Sequence, residues 1–270
     1  MLCEGLGINS TARLSGLNKR TVLNILTTVG GQVADFMDEK IRNLMPEPIE
    51  VDECWTLVAN KRAKGNRPDA GDFYAYLASG AQTKLIAAYV TGKREYQSSD
   101  ILISDLRTRV ASRFQITSDG WQGFIRGVLD NNDGNKIDYA SQVKKYDAYS
   151  PTWGTKRRYF TGKCIGIRTR RICGNPDPAK ISTSHAERFN LSLRHFNKRF
   201  TRLSPCFSKK ADNLAHSVAL TVAFFNFCRP HSALKIKATE TTKAIERTPA
   251  MAAGLTDHVW TVEEMLTFDR

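Results

Sequence analysis

The 270-residue sequence has no apolar run long enough to cross a bilayer, and its polar start carries no leader pattern. A membrane span is therefore not expected, and the expected compartment is the cytoplasm. Cysteine is sparse and scattered. The six residues, at 3, 54, 164, 173, 206 and 228, include no CxxC pair, and even Cys164 and Cys173 have eight residues between them. This excludes a zinc knuckle and the disulfide framework of a small secreted domain, leaving buried free thiols as the reading for most of them. No internal repeat or low-complexity run is present. The length suits one main domain with a smaller module.

Acid is scarce in one place. Residues 151–210 hold fifteen Lys and Arg against two acids, Asp177 and Glu187. That segment contributes 15 − 2 = +13, the whole net charge, because the other 25 basic and 25 acidic residues cancel. A local excess points to a site for polyanions, with nucleic acid the first candidate and an anionic membrane surface the second. Glu187 stands among Arg188, Arg194, Lys198 and Arg199. A surface that only grips phosphates gains nothing from a carboxylate there.

Residues 8–30, "INSTARLSGLNKRTVLNILTTVG", read as two helices around a turn at Gly16, the second capped by Asn18 and running to about Val29. Ala12, Gly16, Val22 and Ile25 fall where a helix-turn-helix needs a small contact, a positive φ and two branched fillers. Lys19, Arg20, Thr21 and Asn24 then lie at the exposed start of the second helix, in reach of DNA; the alternative is a plain helical hairpin. Pro46 and Pro48 mark a boundary. "IEVDECWTLVA", "FYAYLASG" and "KLIAAYVTG" read as three strands, residues 98–112 as a helix, "FQITSDGW" as a fourth strand and "GWQGFIRGVLD" as a short helix. Three antiparallel strands, a helix and a further strand beside the first make a mixed α/β sheet of ribonuclease H-like type, flanked by helices. Residues 150–183 are basic with short strands at most. A helix is expected from Ser184 to about Lys198, and a long apolar one over "KKADNLAHSVALTVAFFNFC". The expected organisation is a helix-turn-helix over 1–33, a linker over 34–47, a catalytic domain over 48–232 with a basic insertion at about 140–183, and a peripheral tail over 233–270.

Asp52 sits mid-strand between Val51 and Trp55, where a half-buried acid needs a partner or a metal. Glu50 and Glu53 are its rivals, Glu53 being expected on the opposite face by strand alternation. Asp119 ends the fourth strand at the sheet's carboxyl edge. Singly, each acid reads as structural, Asp119 as a turn or cap and Asp52 as a polar strand residue. Together on neighbouring strands they repel unless a cation lies between them, and an all-oxygen set suits Mg²⁺ or Mn²⁺. Glu187 on a crossing helix completes such a cage, with Arg194 seven residues on and nearly on the same face. Asn190 and Leu191 follow Glu187 at helix spacing, so its own helix supplies no ion-pair partner.

"VDECW", "TSDGW" and "AERFNLSLR…FNKRFTRLSPCFSK" occur in this order, each of the first three motifs carrying its acid. In these the chain resembles DDE transposases of bacterial insertion sequences, particularly the insertion-sequence-one family, from the helix-turn-helix through "FFNFCRPHSAL". The resemblance implies that Asp52, Asp119 and Glu187 are the catalytic, metal-holding triad and that Arg194 contacts the DNA end; Arg188 and Lys198, cations of the same basic segment, are expected to hold phosphates. It also implies two divalent metals (Mg²⁺ or Mn²⁺), terminal inverted repeats and target DNA as partners, a homo-oligomer of at least two chains, and action at the bacterial nucleoid. Family members usually carry a cysteine-rich zinc-binding segment ahead of the helix-turn-helix, which "MLCEGLG" is not. The Asp119–Glu187 gap is also wider than in compact members, as the basic insertion requires. A non-catalytic helix-turn-helix regulator and a ribonuclease H-like nuclease are the alternatives.

His185 reads as a helix-start residue. Tyr146, Trp153 and Tyr159, interleaved with Lys144, Lys145, Lys156, Arg157 and Arg158, could stack on unpaired bases or pack a β insertion. Phe224, Phe225 and Phe227 read as core or interface, and "CRPHSAL" as structural.

Overall fold

A computed structural model of the chain describes residues 1–60, 69–147, 163–238 and 243–268. Its centre is a six-stranded mixed sheet of β1 (Ile49–Val58), β2 (Gly71–Gly80), β3 (Ile86–Gly92), β4 (Phe114–Ser118), β5 (Ile137–Tyr146) and β6 (Cys164–Cys173), in the order β3-β2-β1-β4-β5-β6. β1, β2 and β3 pair antiparallel; β4 lies parallel to β1 and β5 parallel to β4, while β6 returns antiparallel. Antiparallel 3-2-1 continued by parallel 1-4-5 is the ribonuclease H-like arrangement, and the expected α/β class is what the fold shows.

The helices α1 (Ile8–Ser15), α2 (Lys19–Lys40), α3 (Tyr96–Arg109), α4 (Gln122–Asp130), α5 (Ser184–Phe196), α6 (Ala211–Ala223), α7 (Pro249–Ala252) and α8 (Val262–Thr267) cover the sheet. α3 packs on β2, β3 and α4; α5 packs on β1 and β2 and α6 on β3, with α2 lying against α6. β1 is buried over most of its length, as a strand covered on both faces must be, so the polar residues it carries need partners. One core unites Leu26, Val33 and Met37 of α2 with β1, Leu102 and Leu106 of α3, and Val218 and Val222 of α6.

The N-terminal expectation needs correcting in two respects. The turn is as expected, with Gly16 at φ 72° and Asn18 accepting from the Arg20 amide at 2.9 Å. However, α2 does not stop near Val29, and the linker expected over 34–47 begins inside it. Its buried stripe continues through Val22, Leu26, Gly30, Val33 and Met37, so the helix is held by the main core. Ile25 lies off that stripe and is 45% exposed rather than filling the angle between helices. Gly30 marks the α2–α6 crossing: a Cβ there would stand 2.5 Å from the His216 Cβ and 2.7 Å from its carbonyl oxygen. Gly30→Ala therefore sets a gain in helix propensity against backbone overlap. Its expected outcome is a net loss of about 1–2 kcal/mol in urea unfolding.

Two further departures follow from long-range packing. β5 and β6 form a hairpin whose connecting residues, with Trp153, Lys156, Arg157, Arg158 and Tyr159, lie outside the described residues. The tail is not peripheral, because Phe268 stacks on Phe36 at 4.1 Å, Trp260 lies 4.8 Å from Phe227, and Ala250 and Met265 are buried. Phe224, Phe225 and Phe227 belong to a π-helical turn (Phe224–Cys228) and pack inward as expected, Phe225 against Phe189 at 4.6 Å.

Candidate metal centre

β1 outruns β4. Their parallel register pairs Ile49 with Ile116 and Glu50 with Thr117, and two residues further on Asp52 comes level with Asp119, just past the end of β4. Beyond Ser118 that edge of β1 has no strand beside it until Val58, which bridges Ser208. The carboxyl ends of adjacent parallel strands are where α/β sheets present ligand-binding groups.

Side chains alternate along β1 as pleating demands. Glu50, Asp52, Cys54 and Thr56 face α5 and the turn after it. Asp52 accepts from Asn190 Nδ2 at 2.6 Å, and Thr56 donates to the Arg199 carbonyl at 2.7 Å. Glu50, buried, accepts the first free amides of α5, His185 N at 2.7 Å and Ala186 N at 3.0 Å. A carboxylate at a helix N-terminus satisfies orphan donors and complements the dipole, which docks α5 onto the sheet. Glu53 and Trp55 face the other way, to Arg94 at 2.6 Å and Asp72 at 3.0 Å.

Alternation was expected to remove Glu53 from the site, but the open edge overrides it. One carboxylate oxygen each of Asp52, Glu53 and Asp119 lie within 4.8 Å of one another. Burial pushes Asp52 up to about 7, helped by the charges of Asp119 and Glu187 and opposed by the Glu53 amide and Arg194. Burial likewise raises Glu53 to about 7, with Asp119 and Asp52 adding and Arg94 opposing. Asp119 also accepts from the Trp121 amide at 2.9 Å, the turn role foreseen for it. Glu53 Oε2 and Asn190 Oδ1 are buried oxygens without a hydrogen-bond partner among the described residues. Mutually repelling carboxylates with orphaned acceptors and no nitrogen or sulfur donor fit a hard divalent cation such as Mg²⁺ or Mn²⁺.

Glu187 is outside this cluster. It accepts from Lys144 Nζ at 2.5 and 2.6 Å and from Thr183 Oγ1 at 2.9 Å. The cation missing from its own helix comes from β5, a partner 43 residues away that helix spacing could not reveal. It sits with Asn190 and Arg194 on the flank of α5 turned toward Asp52. Arg194, expected to hold phosphate, keeps a buried Nε without a partner among the described residues and lowers the charge cost at Asp52. Arg188 is exposed on the opposite flank, and Lys198 lies in the turn after α5 with its stem against Gly7. Lys19, Arg20, Thr21 and Asn24 are exposed at the start of α2, apart from the acidic group. Sequence reading missed Asn190, Arg94 and Lys144 because each acts across strands or helices.

No family profile and no curated protein sequence matches this chain. Among solved structures it is similar to an Argonaute of Aquifex aeolicus, with 11% identity and a TM-score of 0.32 over 61% of this chain and 29% of that one. This chain therefore spans less than a third of that protein's length. No helix among the described residues is long and apolar enough to cross a membrane.

Proposed function

We propose that the chain is a metal-dependent polynucleotidyl transferase, and more narrowly a DNA transposase that nicks element ends and joins the freed 3′-hydroxyls to target DNA. The observation that carries the reading is the convergence of Asp52, Glu53 and Asp119 at the open edge between β1 and β4. The narrower reading adds the motif order and the net charge of +13.

Asp52, Glu53 and Asp119 would hold one ion, and Asp52 with Glu187 a second. When bound, such ions supply Lewis-acid polarisation of the scissile phosphate and ease deprotonation of the attacking hydroxyl. Asn190 orients Asp52 through its 2.6 Å bond, and Glu50 fixes the helix on which Asn190, Glu187 and Arg194 are carried. Arg94 pairs with Glu53, and a bound metal ion would compete with it for that carboxylate. Arg194 would bring its guanidinium charge to a phosphate beside Asp52, and α1–α2 would present Lys19, Arg20, Thr21 and Asn24 to a duplex.

The deciding experiment supplies Mg²⁺ or Mn²⁺ with duplex ends bearing inverted repeats, beside RNA–DNA hybrids. End nicking and strand transfer are expected. Hybrid cleavage without end preference would replace the transposase by a nuclease, and no cleavage with chelator-insensitive binding would leave a regulator. Lys144 competes with metal for Glu187, so Lys144→Met is expected to tighten Mn²⁺ binding about threefold or more in calorimetry without DNA. Unchanged affinity would remove Glu187 from the ion's ligands.

A further inference from the structure

α5 carries two stripes. Glu187, Asn190 and Arg194 face the acids; His185, Arg188 and Ser192, with the same three-and-four spacing, lie nearly opposite. The second stripe borders a cavity of about 180 Å³ closed by Lys84 from the β2–β3 turn and by His231 and Ser232. Lys84 has φ 61°, a left-handed conformation within that turn. Its ammonium donates to the Ala81 carbonyl and lies 3.1 and 3.3 Å from the two ring nitrogens of His185.

No carboxylate lines the cavity among the described residues. The two acids whose fields reach Lys84 are Glu50 and Glu47. Glu50 spends one oxygen on the α5 amides, and Glu47 accepts from the Gln82 and Thr83 amides. Burial, and after it the charges of Lys84, Arg229, His185 and Arg188, hold the His231 imidazole below the usual histidine range. Burial also lowers Lys84, against the pull of Glu50 and Glu47. Cations are thus assembled around a hollow at a cost that an anion would relieve.

We propose that this cavity is an oxyanion site that holds a backbone phosphate of the bound nucleic-acid strand. Lys84 and Arg188 provide the charge, and His185, Ser192 and Ser232 provide hydrogen-bonding side chains. At about 180 Å³ the cavity falls below the roughly 300–1,000 Å³ of sites that enclose a whole small molecule, which suits one phosphate of a longer chain. The two stripes are separated by about a helix diameter, roughly 10 Å, so a strand lying over the exposed ridge of α5 reaches both. The identity of the strand rests on the nucleic-acid reading above; the site does not depend on cleavage.

The test measures binding of a labelled single-stranded oligonucleotide by anisotropy, in chelator, between about 50 and 200 mM salt. Lys84→Gln and the exposed Arg188→Gln are each expected to weaken binding about fivefold. Each should also reduce the slope of log affinity against log salt by about 0.7–0.9. Arg107→Gln, which removes one charge from α3 where Arg107 pairs with Asp133, should leave both unchanged. Inorganic phosphate should shift the ring signals of His185 and His231 together in the wild type and not in Lys84→Gln. An unchanged slope in Arg188→Gln overturns the proposal whatever happens to Lys84→Gln. Phosphate shifts without loss of oligonucleotide affinity would also overturn it, leaving a free-anion site. If the variants behave as expected while no metal-dependent cleavage is found, the catalytic reading fails and the cavity's role stands.

Discussion

Asp52→Asn is expected to lower metal-dependent strand cleavage by at least about 10³-fold while leaving oligonucleotide binding in chelator intact. Asp52 is the acid shared by the group: it lies level with Asp119 across β1–β4, is bonded to Asn190 on α5, and feels the charges of both Asp119 and Glu187. Removing its charge would weaken both of the proposed ion positions at once. The same change is expected to raise the melting temperature of the metal-free protein at pH 8, because a buried anion beside two others is removed. A variant inactive merely through unfolding would melt lower, so the two readouts separate chemistry from structural damage. Full activity in a well-folded Asp52→Asn protein would end the assignment.

The second large effect is a reversal of pH dependence by metal. Asp52 and Glu53 are raised to about 7, so in the folded state they keep protons that an unfolded chain would release above its ordinary carboxylate range. The folded form binds more protons across that interval. Its advantage is complete below about pH 4 and is lost as pH rises through about 7. Metal-free protein should therefore lose about 5 °C in melting temperature between about pH 5 and 8. A divalent cation at this group would favour the ionised carboxylates and displace those protons, so with Mn²⁺ stability is expected to rise over the same range. Melts with and without Mn²⁺, compared with an Asp52→Asn/Glu53→Gln double variant, isolate this pair from His258, whose acid partners also raise its pKa. A metal-free curve that is flat, or Mn²⁺ melts identical to those of the double variant, would refute the linkage.

Most of the sheet was legible. β1, β2, β3 and β4 lie where apolar alternation and turn residues place them, because those signals are local in sequence. α5 and α6 were legible for the same reason. β5 was not, since "IDYASQVKKY" is a parallel strand that needs β4 beside it to be recognised. The length of α2 was missed because no cap marks residue 33 and only contact with α6 shows that its stripe continues to Met37. In the centre, Asp52 and Asp119 were readable from strand position. Glu53 was set aside by an alternation rule that holds along a paired strand and fails to confine a long side chain beside an open edge.

The sequence by itself determined the charge surplus, the order of the acidic motifs and the period of each strand and helix, all properties of neighbours along the chain. The tertiary structure decided which oxygens share a space, that Lys144 is the cation paired with Glu187, and that Lys84 and His231, distant along the chain, line one cavity with α5. Electrostatic energy depends on distance through space, and chain separation carries no measure of that distance.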